Sequence, residues 1–244
     1  MATIKCRNLI FSNIQAILFD KDGTLEDSKE YLRKQGQKVA QIIDEQVSGV
    51  GKPLLLAFGI HEENLDPAGL LAVGSSRETE IAAAAYIAET GLRWFDSLIM
   101  ARRAFKEAER FVSKTPSPMF VGSREVLKNL SEAGLKLGIL SAATFEEVHA
   151  FVRHHQLNDY IQVQIGVDDG PSKPDPVLFW QACQSLGVEP LSTLMVGDSV
   201  GDMQMARNAN AAGCIGISWL GELENLEGAN VLISQLNEIE VITI

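Results

Sequence analysis

Four short clusters of polar residues in this sequence have the composition needed to hold a metal ion beside an anion. They are Asp20-Lys-Asp22-Gly-Thr24, Ser141, Lys173-Pro-Asp-Pro and Gly197-Asp198-Ser-Val-Gly-Asp202. Magnesium prefers one or two carboxylates, with carbonyls, waters and a substrate phosphate completing its shell. Asp20, Asp198 and the backbone carbonyl of Asp22 can supply such a set. The clusters contain no His or Cys, which argues against zinc.

The same clusters contain groups suited to phosphoryl transfer. That reaction requires cations around the phosphoryl oxygens and a hydrogen-bond donor that positions the group. Lys173 can supply the cation and Ser141 the donor. We therefore expect a phosphate-handling site built from the four clusters.

Each cluster follows a segment with the pattern of a β-strand. Strands are predicted over 14–19, 135–140, 161–167, 193–196, 214–217 and 231–233, and helices over 122–133, 145–155, 177–186 and 202–211. Strands that alternate with helices indicate a parallel sheet covered on both faces. Only 161–167 alternates cleanly between apolar and polar residues, so we expect it at an exposed edge. A short strand over 3–11, turning at Ser12-Asn13, is expected before the first buried strand.

A long helical segment separates the first cluster from the next strand. Residues 27–114 show helical patterns and almost no strand signal, including a helix opened by a capping box at Ser75 and Glu78 and closed by Gly91, and another helix over 93–112. A crossover between parallel strands needs only about a dozen residues. We therefore predict a helical cap inserted after the first strand. Ligands of open parallel sheets bind beyond the carboxyl ends of the strands, where this insertion leaves the core.

Taken in order, the four clusters resemble the motifs of the haloacid dehalogenase superfamily: DKDGT after an apolar strand, a strand-terminal serine, KPDP and GDSVGD. The insertion after the first motif is similar to the subfamily with an α-helical cap. The segment 206–213 and the later Ala229-Asn-Val-Leu-Ile resemble phosphoglycolate-phosphatase-like and β-phosphoglucomutase-like members. The resemblance implies an α/β fold, with a Rossmann-like three-layer parallel-sheet core over 1–25 and 116–244 and an all-helical cap over 26–115.

The resemblance also implies catalytic and metal-binding roles. Asp20 attacks phosphorus and forms an aspartyl-phosphate. Asp22 protonates the leaving oxygen and then accepts a proton from the hydrolytic water. Mg²⁺ is bound by Asp20, Asp22 and Asp198, and Asp202 supports the ion through water or orients Lys173.

Other residues are implied to bind the substrate. Ser141 and Lys173 hold the phosphoryl oxygens, Thr24 fixes the side chain of Asp22, and Arg77 in the cap reads the substrate. Lys21 departs from the pattern, because many relatives carry an apolar residue there. Because side chains alternate along an extended chain, we expect Lys21 to point away from Asp20 and Asp22, and we assign it no catalytic role.

The function predicted from these residues is a Mg²⁺-dependent phosphatase that hydrolyses a small phosphomonoester, such as phosphoglycolate or a sugar phosphate. A phosphomutase acting on a hexose phosphate would use the same intermediate and stays open as an alternative. A catalytically silent binding protein on this scaffold is the other alternative, although no acid of the motifs is missing. Dehalogenation is disfavoured, because attack on carbon needs neither magnesium nor an acid at Asp22.

Composition narrows the partners and the location. The net charge of −11 over 244 residues disfavours binding to nucleic acid, whose phosphates would be repelled. The longest apolar stretch, 81–88, is far shorter than the roughly 20 residues that span a membrane, and the N-terminus lacks the apolar region of a secretory signal. Cys6, Cys183 and Cys214 fit neither a disulfide framework nor a zinc site. We therefore expect a cytoplasmic protein acting on a small phosphorylated metabolite, with no membrane partner.

Overall fold

The parallel sheet predicted from alternating strands and helices is present in the computed structural model, which describes residues 1–112, 115–219 and 226–242. Contacts divide the chain into two units, which we call the sheet unit (Met1–Asp27 and Pro118–Ile244) and the helical unit (Ser28–Ser117). Among the described residues, no helix combines the length and the apolar character needed to cross a membrane.

The chain begins with a pair of antiparallel strands that the sequence predicted only in part. β1 (Ala2–Cys6) pairs with β2 (Leu9–Ile14). The predicted turn at Ser12-Asn13 is wrong, because the chain turns between β1 and β2, where Arg7 adopts a positive φ of 52°. β3 (Ala16–Phe19) follows, and all four of its residues are buried. The predicted strand over 14–19 is therefore shorter, since Ile14 ends β2.

The helical unit contains most of the elements predicted for it. Its elements are α1 (Lys29–Gln46), α2 (Gly51–Phe58), β4 (Ile60–His61), β5 (Asn64–Leu65), α3 (Leu70–Val73), α4 (Ser76–Glu89) and α5 (Trp94–Ala108). The capping box that opens α4 is confirmed: the Ser75 amide donates to the Glu78 carboxylate at 2.7 Å, and the Glu78 amide donates to the Ser75 hydroxyl at 3.3 Å. The small hairpin of β4 and β5 was not predicted.

The helical unit has a core of its own. Val39, Ile43, Leu54, Phe58 and Ile87 are fully buried in it. The faces of α4 and α5 that are buried carry mainly small residues, which let two helices approach closely.

The remaining elements complete the sheet unit. They are α6 (Ser123–Glu132), β6 (Lys136–Leu140), α7 (Phe145–His154), β7 (Ile161–Ile165), α8 (Val177–Leu186), β8 (Thr193–Gly197), α9 (Val200–Asn208), β9 (Gly213–Ile217), β10 (Val231–Ile233) and β11 (Ile239–Ile242). The six-stranded sheet has the order β10-β9-β8-β3-β6-β7, and its pairings are parallel. The predicted edge position of the strand beginning at Ile161 is confirmed.

Two apolar clusters cover the two faces of this sheet. Successive residues of β3 alternate between the two clusters: Ile17 and Phe19 belong to one, and Ala16 and Leu18 belong to the other. The first cluster also contains residues of α6 and α7, and the second contains residues of α8 and α9. Such a division follows from the alternation of side chains along a strand. The three-layer α/β fold class is therefore confirmed.

A second, three-stranded sheet of order β11-β1-β2 was not predicted. β1 pairs with β11 in antiparallel register, with Thr3 opposite Ile242. Glu238, just before β11, accepts hydrogen bonds from the Arg7 guanidinium at 2.6 Å and from the Ser234 amide at 2.7 Å. Partial burial raises the pKa of Glu238, but the hydrogen bonds from Arg7 and from residues 234 and 235 outweigh this effect. Together they lower the pKa of Glu238 to about 2.

Replacement of Glu238 by Gln should lower the free energy of unfolding by about 1 kcal/mol at neutral pH, because it removes charge-assisted hydrogen bonds. The stabilisation from a lowered pKa is present above about pH 4.5, the unperturbed value, and is lost as the pH falls towards about 2. The difference between wild type and E238Q in urea unfolding should therefore shrink from neutral pH to about pH 3.

The matched control for E238Q is Glu240→Gln. The Glu240 carboxylate forms an exposed ion pair with Lys5 at 3.7 Å. Exposed pairs of this kind contribute little to stability, so the control should unfold like wild type. A difference between wild type and E238Q that stayed constant with pH would contradict the assignment.

Candidate active site

Carboxylates that are distant in sequence meet at the carboxyl ends of β3 and β8. Phe19 pairs with Val196 in parallel register, so the chain leaves the two neighbouring strands side by side at Asp20 and Asp198. Asp20, Asp198 and Asp202 each place a carboxylate oxygen within 4.8 Å of the others. We call these three residues and Lys173 the acidic centre. The structure thus brings together the predicted nucleophile and the predicted metal-binding acids.

Lys173 is the cation of the acidic centre. Its Nζ lies 2.5 Å from Asp20 Oδ1 and 2.6 Å from Asp202 Oδ1, and all three side chains are at most 8% exposed. Burial and the two carboxylates have opposite effects on the lysine, and the carboxylates prevail. The pKa of Lys173 therefore lies above its usual range. Lys173 is therefore positively charged where it lies between the carboxylates of Asp20 and Asp202.

The acidic centre still has more carboxylates than cations. Burial, together with repulsion from Asp202 and Asp22, raises the pKa of Asp20 despite the attraction of Lys173. Burial and the charge of Asp20 likewise raise the pKa of Asp198 well above its usual range. A divalent cation would supply the missing positive charge, and carboxylate oxygens are the donors that a hard cation prefers. The donor set therefore fits a divalent metal ion.

Asp202 uses both of its oxygens within the protein. Oδ1 faces Lys173, and Oδ2 accepts from the hydroxyl of Ser199 at 2.6 Å and from its amide at 3.2 Å. Ser199 and Asp202 form the capping box of α9, so Ser199, rather than Asp198, is the N-cap. These contacts are those expected if Asp202 orients Lys173, one of the two roles predicted for it.

Gly23 allows Asp198 to approach the first motif. It adopts a φ of 74°, and a Cβ atom there would lie 2.0 Å from Asp198 Oδ2. Glycine alone combines this left-handed backbone with the absence of a side chain. The Thr24 hydroxyl donates to Asp198 Oδ1 at 3.2 Å. Thr24 was predicted to fix Asp22, so the structure gives its hydroxyl a different partner, and the first motif fixes Asp198 as well as supplying Asp20.

Lys21 contacts the predicted acid–base residue directly. Its Nζ lies 2.7 Å from Asp22 Oδ1 and 2.5 Å from Glu26 Oε2, and its side chain is only 7% exposed. The prediction that Lys21 points away from Asp22 is therefore wrong. Strand alternation placed residues 20 and 22 on the opposite side from residue 21, but the chain leaves the extended conformation here. The amides of Leu25 and Glu26 both donate to the Lys21 carbonyl at 2.9 Å.

Sequence reasoning missed Glu26 altogether. It is 4% exposed. Lys21 precedes the turn and Glu26 follows it, so the closed turn brings their side chains into contact. A signal was available, because an acid five residues after a lysine, across an Asp-Gly turn, can meet it once the turn closes.

Ser141 lies at the end of β6, where it was predicted. It is 1% exposed, its hydroxyl accepts from the Ala143 amide at 3.1 Å, and it lies 3.5 Å from Asp22 Oδ2. The N-cap of α7 is Thr144, so Ser141 does not cap that helix. Arg77 lies in the first turn of α4 and is exposed; it belongs to the helical unit.

An aromatic pair that the sequence did not reveal supports the first motif. The indole of Trp219 stacks on Phe120, with 4.3 Å between ring centroids, and donates through Nε1 to the Thr24 carbonyl at 3.2 Å. The Phe120 amide donates to the Leu25 carbonyl at 3.0 Å. Both residues therefore hold the segment that follows Asp22.

Comparison with known proteins places this geometry in a family. The family model described as haloacid dehalogenase-like hydrolase matches residues 14–210. A phosphoglycolate phosphatase from Vibrio vulnificus (strain CMCP6) is 26% identical over 200 residues, which cover 82% of each chain.

Two solved structures have a similar fold. A predicted phosphoglycolate phosphatase from Haemophilus somnus 129PT has a TM-score of 0.63 at 19% identity, over 85% of this chain and 86% of the other. A β-phosphoglucomutase from Clostridium difficile has a TM-score of 0.61 at 18% identity, over 93% of each chain.

The chain belongs to the haloacid dehalogenase-like hydrolase family. The resemblance stated from the four motifs is confirmed, as is the predicted class of enzyme, a phosphoric monoester hydrolase. The acidic centre is compatible with the divalent metal ion of such enzymes.

Replacement of Lys21 by Met should lower the free energy of unfolding by about 3 kcal/mol, because it leaves the buried Glu26 carboxylate without the ammonium that it contacts. Replacement of both residues by Met should leave stability within about 1 kcal/mol of wild type, because the buried Glu26 charge is then removed as well. Asp22 also loses its contact with Lys21, but its side chain is 19% exposed, so water can solvate that charge. Urea unfolding of K21M and K21M/E26M measures both values.

The matched control for K21M is K128M, which removes the exposed pair of Lys128 and Glu132 at 3.8 Å. Because exposed pairs are weak, this control should change stability by less than about 0.5 kcal/mol. Equal destabilisation of K21M and K21M/E26M would show that the Lys21 side chain acts through packing alone.

Proposed function

We propose that this chain is a Mg²⁺-dependent phosphatase that hydrolyses a small phosphomonoester through an aspartyl-phosphate at Asp20. The observation that carries this proposal is the buried approach of Asp20 to Asp198 and Lys173. A carboxylate beside a fixed ammonium and a metal-binding acid can attack phosphorus while the charge on the phosphoryl oxygens is neutralised.

The first chemical step esterifies Asp20. One carboxylate oxygen attacks the phosphorus, the bond from phosphorus to the ester oxygen breaks, and the leaving oxygen takes a proton from the Asp22 carboxyl group. The products of this step are an alcohol and the acyl phosphate. Lys173 and Ser141 bind the phosphoryl oxygens.

The second step frees the enzyme. A water oxygen attacks the phosphorus of the acyl phosphate and gives a proton to the Asp22 carboxylate. The bond between phosphorus and Asp20 breaks, which releases inorganic phosphate and restores the Asp20 carboxylate. Asp22 thereby regains the proton that it lost, so the cycle is balanced.

Mg²⁺ would be held by Asp20, Asp198 and the backbone carbonyl of Asp22, and when bound it supplies positive charge to the phosphoryl oxygens. Asp202 has both oxygens engaged by Lys173 and Ser199. We therefore assign Asp202 to the orientation of Lys173 rather than to direct metal binding.

The helical unit is proposed to act as the substrate-selecting cap, over the predicted boundaries 26–115. The two chain segments that connect it to the sheet unit run side by side. The Asp27 amide donates to the Pro118 carbonyl at 2.9 Å, and the backbones of Glu26 and Met119 form an isolated antiparallel β-bridge. Both connections therefore join the sheet unit next to the first motif. Arg77, in the helical unit, is proposed to read the non-reacting part of the substrate.

Replacement of Asp20 by Asn should abolish turnover of an aryl phosphate in the presence of Mg²⁺, because an amide cannot form the acyl phosphate. The loss should be on the order of 10⁴-fold or more. Phosphate release measures the activity, and circular dichroism checks the fold. The matched control is D159N, at an exposed acid between α7 and β7, which should keep wild-type activity.

Beryllium fluoride, a mimic of the phosphoryl group, gives an independent check. Calorimetry should show its Mg²⁺-dependent binding to wild type and not to D20N. Wild-type protein that neither turned over the ester nor bound this mimic would favour a silent binding protein. Turnover by D20N would refute Asp20 as the nucleophile.

A metabolite screen should find 2-phosphoglycolate or a similarly small phosphomonoester as substrate, since a curated relative is a phosphoglycolate phosphatase. The expected product is inorganic phosphate, because water accepts the phosphoryl group. Incubation with a hexose 1-phosphate followed by product analysis separates hydrolysis from mutase chemistry. Formation of an isomeric sugar phosphate in place of free phosphate would show that the chain is a mutase.

A further inference from the structure

The loop that carries Asp22 is closed by a buried charge pair. Lys21 and Glu26 lie at the two ends of the turn, with 2.5 Å between Nζ and Oε2, and both side chains are at most 7% exposed. Taking two charges out of water is unfavourable unless they find close partners, so such a pair stays together. The amides of residues 24, 25 and 26 all donate to the Lys21 carbonyl, which closes the same turn through the backbone.

The pair reaches beyond the turn to Asp22. The Lys21 ammonium donates to Asp22 Oδ1 at 2.7 Å while it also contacts Glu26. It lies 5.9 Å from the centre of the Phe151 ring, and an aromatic face favours a cation. Phe151 and Glu26 therefore fix the ammonium, and the ammonium fixes one oxygen of Asp22.

Contact with Lys21 distinguishes the two oxygens of Asp22. An ammonium group only donates hydrogen bonds, so Oδ1 must act as an acceptor. Oδ2 is the oxygen on the side of Ser141, whose hydroxyl lies 3.5 Å away and was predicted to hold the phosphoryl group. The contact thus sets the rotation of the carboxyl group and directs Oδ2 towards the phosphate-handling residues.

We propose that Lys21, anchored by Glu26, is a positioning residue that orients the Asp22 carboxyl group so that Oδ2 transfers the proton to and from the substrate. The proposal rests on the proposed function, in which Asp22 protonates the leaving oxygen and later activates water. It gives a role to a lysine that the motifs alone left without one. Lys21 touches no reacting atom in this role and acts only through Asp22.

The test compares two esters that differ in their need for an acid. A nitrophenolate leaves readily as an anion, whereas an unsubstituted phenolate gains more from protonation by Asp22. Phenyl phosphate and p-nitrophenyl phosphate have nearly the same shape, so a loss of fit affects both. The variant is K21M/E26M, which removes the pair without leaving either buried charge behind.

The constant kcat/KM reports on the steps up to formation of the acyl phosphate, because release of the phenol makes that step irreversible. K21M/E26M should lose at least about tenfold more kcat/KM with phenyl phosphate than with p-nitrophenyl phosphate. With p-nitrophenyl phosphate the acyl phosphate should also accumulate, because its hydrolysis needs Asp22 as a base. Acid quenching after reaction with radiolabelled ester measures that species.

The matched control is K128M/E132M, the same double substitution at an exposed pair of the sheet unit, which should leave both constants unchanged. D22N removes the acid itself, so its kcat/KM should fall more with phenyl phosphate than with p-nitrophenyl phosphate, and by a larger factor than in K21M/E26M. E26Q keeps the Lys21 contact with Asp22 and removes only the charge of its anchor, so it should show the selective loss in smaller size.

Three results would overturn the proposal. If wild type hydrolysed both esters and K21M/E26M lost equal activity on each, with no accumulated acyl phosphate, Lys21 would have only a structural role. If K21M/E26M kept wild-type activity on both, the pair would be irrelevant to Asp22. If wild type hydrolysed neither ester, the proposed function itself would fail and the role of Lys21 with it.

Discussion

A single buried ammonium, that of Lys173, holds the acidic centre together. It lies within 2.6 Å of the carboxylates of Asp20, at the end of β3, and Asp202, in the first turn of α9. Carboxylates removed from water repel one another, and a group of them stays together only where the backbone fixes their positions and a cation lies between them. The parallel register of β3 and β8 meets the first requirement, and Lys173, after β7, meets the second. Much of the detail of the sheet unit follows from this constraint.

The sequence predicted well those parts of the structure for which a sequence pattern is typical of a single kind of element or contact. Apolar runs bounded by turn residues placed the buried strands, and the order of strands and helices predicted the parallel sheet. The Ser75 capping box located the start of α4 because both of its hydrogen bonds are local. Gathering of Asp20, Asp198 and Asp202 followed from the common direction of parallel strands. These features follow from local patterns and from the general geometry of parallel sheets, without knowledge of individual side-chain contacts between distant residues.

The features that the sequence did not predict depend on such contacts. β11 is recognisable only as the partner of β1, at the opposite end of the chain. β4 and β5 are two residues long each, too short for a pattern. The Thr24 hydroxyl is near enough to Asp22 in sequence to suggest that pairing, yet Asp198 reaches it from another strand. For Lys21 the error was local: extended alternation was assumed through a turn that in fact brings Glu26 back to the lysine.

The stacked indole of Trp219 makes the segment after Asp22 observable without a label. Its ring nitrogen is bonded to the Thr24 carbonyl and its face lies on Phe120, so a shift of that segment changes the polarity and the hydrogen bonding around an emitting group. The sequence has three tryptophans, and the other two, Trp94 and Trp180, are both exposed. With phenylalanine at those two positions, tryptophan fluorescence comes from Trp219 alone. Its emission wavelength and intensity then report ligand-induced movement of the segment after Asp22 in real time.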